Sequence, residues 1–132
     1  MLSSESRIVR VCTLPSEFYI RSLEHTCMFP FSESDLSKST ILAAYDVHNA
    51  IQGFGICSLP HEPFAVHQLR SLQRGYGSAI LRSMESLAIS WAKPCITVDS
   101  PEISSVLQFY LRHGFTPISR DSYFVQMQKN LR

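Results

Sequence analysis

The sequence has little charge of either sign and almost no excess of one sign over the other. Its 132 residues include 12 Lys and Arg against 11 Asp and Glu, which gives a formal net charge of +1 at pH 7. A near-neutral chain has no long-range field that would steer it to nucleic acid or to an anionic membrane. No apolar run approaches the length of a membrane span. We therefore predict no nucleic-acid partner and no membrane partner, and any bound polyanion must be held by local geometry.

Cysteines are also few and widely spaced. The four are Cys12, Cys27, Cys57 and Cys95, and none belongs to a C-x-x-C pair. The five histidines form no metal-binding pattern, and no G-x-S-x-G or Cys–His arrangement indicates covalent catalysis. The first residues lack the basic and apolar regions of a secretory signal. These absences favour a cytoplasmic protein with free, buried thiols and no metal site.

The residues that are present have the balance of a globular domain, with 45% hydrophobic and 17% charged residues. We predict one domain over residues 1–132, because this length leaves no room for a second domain of ordinary size. Strand-type and helix-type periodicities alternate, which predicts an α/β fold of the mixed-sheet (α+β) kind. Strands are predicted over 8–14, 41–47, 51–59, 64–72, 95–98, 116–119 and 123–128. Helices are predicted from Ser16 and over 76–92 and 104–113, with a loop or short helix over 29–39.

Two glycines alternate within the strand predicted over 51–59. Gly53 and Gly55 lie two residues apart, so both face the same side of a regular strand. Glycine weakens a strand, and a pair on one face therefore indicates that another backbone or a ligand passes close above it.

The segment Arg74-Gly75-Tyr76-Gly77-Ser78-Ala79 connects a predicted strand to the clearest predicted helix. The first N–H groups of a helix lack intrahelical partners and carry partial positive charge, so such a start binds anions. The two glycines let the backbone approach a phosphate closely, and the Ser and Arg supply further donors. The segment lacks the lysine of a P-loop and the third glycine of a dinucleotide-binding fold. Taken by itself, the segment is better explained as a plain strand-to-helix turn.

Two motifs resemble those of the GNAT N-acetyltransferases. The stretch from Leu69 to Leu81, which includes Arg74–Ala79, is similar to the family motif R/Q-x-x-G-x-G/A after the fourth strand. Further along, residues 109–115 (FYLRHGF) are similar to the second motif, F-Y-x-x-x-G-F. The resemblance covers the chain from about Ile41 onward. It implies a central, mostly antiparallel sheet flanked by helices, in which the fourth and fifth strands splay apart.

The resemblance also implies an enzyme that transfers an acetyl group from acetyl-CoA, as co-substrate, directly to an amine. Tyr110 matches the family tyrosine that acts as general acid toward the departing thiolate. Packing of its ring on an apolar helix face is the alternative interpretation of this residue. The resemblance implies that coenzyme A contacts the strand residues Leu69, Arg70 and Ser71 and the loop residues Arg74, Gly75, Tyr76, Gly77, Ser78 and Ala79.

The general base stays open. His67 is one candidate, because a regular strand would point it to the same face as Leu69. Glu62, at the mouth of that strand, is another, and a solvated loop carboxylate is its alternative interpretation. Three other residues are weaker candidates for the base: His25, His61 and Asp99.

The acceptor is a small-molecule or protein amine, and residues 15–40 and 59–63 would select it. Exposed C-terminal strands favour a homodimer.

A non-catalytic acyl-CoA-binding relative and an unrelated α/β domain with a phosphate-tolerant loop remain alternative interpretations of the whole chain. Four basic residues either meet the cofactor phosphates or stay solvated: Arg70, Arg82, Arg112 and His113.

Overall fold

The computed structural model describes residues 10–13, 39–72 and 74–131. In these ranges the strands are β1 (Arg10–Thr13), β2 (Thr40–Tyr45), β3 (Ile51–Cys57), β4 (Ala65–Ser71), β5 (Cys95–Pro101), β6 (Thr116–Arg120) and β7 (Phe124–Asn130), and the helices are α1 (Tyr76–Ser90) and α2 (Ser104–Arg112). The strands form one sheet in the order β1-β2-β3-β4-β5-β7-β6. All neighbours are antiparallel except β4 and β5, which are parallel. The predicted mixed, mostly antiparallel α/β fold is confirmed.

The predicted elements that fall in the described ranges are all present, with boundaries that differ by a few residues. The helix predicted from Ser16 and residues 29–38 of the following stretch lie outside the described residues. No helix in the described part of the chain has the length and apolar character to cross a bilayer.

Helix α1 covers one face of the sheet through the apolar stripe that its periodicity predicts. Five of its residues are buried, and they belong to one core cluster with residues of β2, β4, β5, β7 and α2. Trp91, just after the helix, packs its ring against Phe64 with centroids 5.7 Å apart. The helix ends before Pro94, which cannot continue the backbone ladder. The buried residues of α1 are Tyr76, Ile80, Leu81, Met84 and Ala88.

The glycine pair of β3 makes room for helix α1. A Cβ atom at Gly55 would overlap the Met84 methyl group and would lie 2.8 Å from Ile80 Cγ2. A Cβ at Gly53 would lie 3.2 Å from Ile80 Cδ1 and closer still to the Arg70 carbonyl oxygen. The expected close approach is therefore real, but its cause is packing against α1 and β4. A ligand does not pass over the glycines on this side of the strand, because helix side chains occupy that space.

Two turns depend on the residue types that the sequence supplies. Gly114 follows α2 with φ 89°, the left-handed stop that its position predicts. In the β2–β3 hairpin, the Asp46 carboxylate accepts hydrogen bonds from the backbone N–H groups of His48 and Ala50 at 2.8 and 3.0 Å. Both bonds and the side chain of Gln52 hold the pKa of Asp46 below its usual value.

Candidate active site

Strands β4 and β5 separate soon after they begin to pair. Only two register pairs join them, Ala65 with Thr97 and Val66 with Val98, although both strands continue for several residues. The sequence resemblance implies this fork, and the structure contains it. Because the two strands diverge, the β4 edge that faces β5 is open beyond Val66.

An irregularity in β4 accounts for the divergence. On the β3 side, Ile56 lies opposite Gln68 whereas Cys57 lies opposite Val66, so His67 is an extra residue without a register partner. Such a bulge bends the strand that carries it and raises its local twist. It also breaks the alternation of side chains: Val66 and Leu69, three residues apart, both pack against the core cluster. The strand is therefore not regular at His67, so the alternation behind the expectation that His67 and Leu69 share a face does not hold there. Both residues line the groove described next.

A groove with a volume of about 450 Å³ occupies the fork. Its walls come from β4, from β5 and from α2. His67 and Asp99, the two residues immediately beyond the last paired positions, lie on opposite walls. The groove is lined by Val66, His67, Gln68, Leu69, Arg70, Ser71, Leu72, Val98, Asp99, Pro101, Val106 and Tyr110.

The groove adjoins a second cavity, of about 410 Å³, at the first turn of α1. The two cavities share Ser71 and Leu72 in their linings, and the second extends over Gly75, Gly77 and Ser78. Gly75 is the N-cap of α1 with φ 97°, a conformation that glycine adopts without strain. The first turn of α1 contains no acidic residue. Arg74 and Arg112 line the cavity, so its end carries two guanidinium groups as well as the partial positive charge of the helix start.

The predicted cofactor residues divide into two groups. Those of β4 and most of the loop line the grooves, as the resemblance implies. Tyr76 instead places its side chain in the core, with 8% exposure. Ala79 donates its N–H to the Gly75 carbonyl at 3.2 Å as part of the helix, and neither residue lines a groove. Phe109 and Arg112 line the second cavity; the second motif contains both, but only the folded position of α2 shows that Phe109 belongs there.

The Ser78 hydroxyl already has a partner within the protein. Ser78 Oγ lies 2.9 Å from His113 Nε2, which connects the start of α1 to the end of α2. The His113 ring also lies against Phe109, with ring centroids 4.8 Å apart. Burial is the main cause that lowers the pKa of His113, and the nearby cations of Arg82, Lys129 and Arg112 lower this pKa further.

Tyr110 borders the fork from the α2 side and is almost completely buried, with 6% exposure. Its ring contacts Phe109 and Phe115 edge to face, at centroid distances of 5.2 and 5.5 Å. Burial raises the pKa of Tyr110 to about 12. The phenol therefore keeps its proton at neutral pH and can act as a hydrogen-bond donor in the groove. Tyr110 therefore packs its ring in the core, as the alternative interpretation expects, and also lines the groove.

The candidate bases differ in whether they line the groove. His67 is exposed and lines the groove. Glu62 does not line it; its carboxylate Oε1 accepts the backbone N–H of Leu59 at 3.0 Å and so braces the loop before β4. Asp99 lines the groove and His61 does not, while His25 lies outside the described residues. Among the described residues, no group of His, Cys, Asp or Glu side chains is arranged to hold a metal.

Comparisons with known proteins give a match in structure only. No family model matches the sequence. A search of the curated proteins finds no match either. The ribosomal-protein-S18-alanine N-acetyltransferase from Escherichia coli superposes with a TM-score of 0.77, covering 94% of each chain at 13% identity. The PaiA N-acetyltransferase from Thermoplasma acidophilum, in complex with coenzyme A, has a TM-score of 0.68 at 14% identity and covers 93% of this chain and 99% of its own.

A third solved structure is similar over nearly the whole chain. It is a GNAT family acetyltransferase from Elizabethkingia anophelis with acetyl-CoA bound, with a TM-score of 0.66 at 11% identity, covering 92% of this chain and 97% of its own. Similarity at such low identity describes backbone architecture. Together with the forked β4 and β5 and the groove that leads to α1, it shows that this chain has the fold of the GNAT N-acetyltransferases.

Proposed function

We propose that the chain is an N-acetyltransferase that transfers the acetyl group of acetyl-CoA to a primary amine of a small molecule or a protein. The observation that carries the proposal is a pair of adjoining grooves that share Ser71 and Leu72. One lies in the fork between β4 and β5 and is lined by Tyr110, and the other lies at the glycine-rich start of α1. Acetyl-CoA has a thioester at one end of a long, flexible arm and a pyrophosphate at the other, and these two ends match the two grooves.

The cofactor would lie in these grooves with its two ends in chemically different surroundings. The pantetheine arm has amide groups that can pair with the open main-chain edge of β4, as an added strand does. The pyrophosphate would lie on the first turn of α1, where Gly77 and Ser78 present backbone N–H groups and Arg74 and Arg112 present cations. Coenzyme A and acetyl-CoA in two of the similar structures support this assignment.

The reaction needs a nucleophile, an electrophile and two proton transfers. A neutral amine attacks the thioester carbonyl carbon, so that a C–N bond forms and, as the tetrahedral intermediate collapses, the C–S bond breaks. The amine loses a proton to a base, for which exposed His67 at the fork is the candidate. Tyr110 donates to the departing sulfur and recovers its proton from solvent. A backbone N–H of the open β4 edge would stabilise the oxyanion.

Titration calorimetry with acetyl-CoA tests the binding half of the proposal. We expect micromolar binding, and no detectable binding would contradict the proposed function. Release of coenzyme A thiol in the presence of a panel of small amines and peptides tests the catalytic half. Tight binding without amine-dependent thiol release for any acceptor would instead identify a non-catalytic acyl-CoA-binding protein.

A further inference from the structure

The contact between Ser78 and His113 lies beside the proposed pyrophosphate site and has no role in the mechanism above. The two residues are 35 positions apart in the sequence, yet Ser78 Oγ and His113 Nε2 are 2.9 Å apart. Phe109, which contacts the His113 ring, also lines the cavity at the start of α1. The imidazole is therefore held in place with Nε2 directed at a hydroxyl that borders the cavity.

The serine hydroxyl has one proton, and His113 determines where that proton can go. If Nε2 carries no hydrogen, Ser78 donates to it and presents only lone pairs toward the cavity. Lone pairs repel an anion. If Nε2 carries a hydrogen, it donates to Oγ, and the hydroxyl proton is available to a ligand in the cavity. The same two residues thus present either an acceptor or a donor to the site.

We propose that His113 is a positioning residue for the cofactor: its protonated ring donates from Nε2 to Ser78 Oγ and turns the hydroxyl proton toward the pyrophosphate. This inference rests on the proposed function, because it assigns a role within the same anion site. A positive imidazole also adds attraction for the anion. The neutral tautomer with its hydrogen on Nε2 would also donate to Oγ, but only the charged ring adds this attraction, so the proposed form requires uptake of a proton on His113 when the cofactor binds.

The charges around His113 determine the direction of the pH dependence. Arg82 and Glu85 of α1, Arg112 of α2 and Lys129 of β7 face it, and Glu85 pairs with Lys129 at 2.9 Å. In the unliganded protein, burial and the three cations hold the pKa of His113 below its ordinary value of 6.5. The ring is then neutral at neutral pH. An anion at the start of α1 favours the protonated ring, so affinity rises as pH falls.

Dephospho-CoA is the probe that isolates this effect. Its pyrophosphate does not change charge over the range used, whereas the 3′-phosphate monoester of coenzyme A titrates near pH ~6. We expect calorimetry to show about tenfold tighter binding at pH ~5 than at pH ~8, the change produced by one pKa unit of difference between the unliganded and bound protein. Repeating the titration in buffers of different ionisation enthalpy should show net proton uptake.

Two variants assign the effect to this pair. His113→Gln keeps a side-chain N–H donor that does not titrate, so it should bind dephospho-CoA with an affinity that is the same across this pH range. Ser78→Ala should bind more weakly and lose most of the pH dependence. Thermal unfolding of both variants verifies that they are folded.

The possible outcomes are distinct. Wild-type binding without pH dependence, or unchanged pH dependence in His113→Gln, would overturn the role of His113. Full pH dependence in Ser78→Ala would overturn the route through the hydroxyl. If the wild-type protein binds neither coenzyme A nor dephospho-CoA at any pH, the proposed function itself fails, and this inference fails with it.

Discussion

At the scale of single residues, Tyr110 has two properties that a donor to a departing thiolate needs. It is almost buried, which excludes competing water, and it lines the fork where the thioester is proposed to lie. With its pKa raised to about 12, it stays protonated through the physiological range. The high pKa also makes it a hydrogen-bond donor rather than a base. These properties separate its role from that of exposed His67.

The variant Tyr110→Phe tests this role, because it removes only the hydroxyl and keeps the ring against Phe109 and Phe115. We expect kcat to fall by about 100-fold, within the range that a positioned acid contributes, with little change in the Kd of acetyl-CoA. Steady-state kinetics and calorimetry measure the two quantities. Tyr123→Phe is the matched control, since Tyr123 is 76% exposed and does not line the groove. A Tyr110→Phe enzyme with the wild-type kcat would refute the assignment.

Gly77 shows how a missing side chain contributes to binding. A Cβ atom there would lie 3.6 and 3.7 Å from Phe109 ring carbons and 3.8 Å from Ser71 Cβ, which are ordinary contact distances. Gly77→Ala should therefore fold at least as well as the wild type, since alanine favours a helix more than glycine does. Gly77, Phe109 and Ser71 all line the cavity at the start of α1, so we expect the two further methyl groups of Gly77→Val to reduce the space there and to displace the pyrophosphate.

We expect Gly77→Val to bind acetyl-CoA at least about tenfold more weakly than Gly77→Ala, a difference of about 1.4 kcal/mol. Calorimetry measures both affinities, and thermal unfolding verifies that both variants are folded. Equal affinities for the two variants would mean that the anion does not approach the first turn of α1.

At the scale of elements, the fit between α1 and β3 depends on the absence of a side chain at Gly55. Gly55→Ala places a methyl group where the Met84 methyl lies, and we expect it to lower the free energy of unfolding by about 1–3 kcal/mol through overpacking. Adding Met84→Leu, which replaces the Sδ–Cε end of Met84 by a shorter, branched chain, should recover part of that loss. Denaturant unfolding gives the free energies of unfolding of the wild type, the two single variants and the double variant, which together form a double-mutant cycle. If the effects of the two substitutions add without coupling, Gly55 and Met84 do not compete for the same space.

The elements also show where sequence reasoning succeeds and where it stops. The stripe of α1 was predictable because a helix period of 3.6 leaves a repeated pattern, and Gly114 was predictable because few residues adopt a positive φ. The bulge at His67 was not, because one extra residue in a strand has no characteristic composition. The bulge opens the fork and cancels the alternation that relates His67 to Leu69. The Ser78–His113 contact was likewise hidden, since it joins residues from different elements.

At the scale of the whole molecule, the near-zero net charge and the local concentration of cations have to be considered together. Formal charge sums to +1 over the chain, yet Arg74 and Arg112 lie together at one end of the groove. The long-range field is weak, so capture of an anionic cofactor depends on short-range hydrogen bonds and preorganised backbone rather than on steering. The fold supplies this preorganisation by bringing β4, α1 and α2 to one point.

The core makes the whole molecule sensitive to alkali. Burial raises the pKa of Cys57 from its ordinary value of 9.0 to about 12, and that of Tyr110 from 10.0 to about 12. Both groups are neutral when buried, so the stability they contribute is complete below the pKa of the unfolded chain and is lost as pH rises toward 12. The loss is at most about 1.4 kcal/mol per pH unit for each group. It begins near pH 9 for the thiol and near pH 10 for the phenol.

Denaturant unfolding under reducing conditions from pH 7 to pH 11 tests this expectation. The pH values should be closely spaced around the ordinary pKa values of the thiol and the phenol. Cys57→Ala should lower stability at neutral pH, because it removes a buried atom, but should remove the decline between pH 9 and pH 10. Cys95→Ala, which removes a less buried thiol, is the control and should keep that decline. If Cys57→Ala declines as steeply as the wild type over this interval, ionisation of the core thiol does not limit alkaline stability.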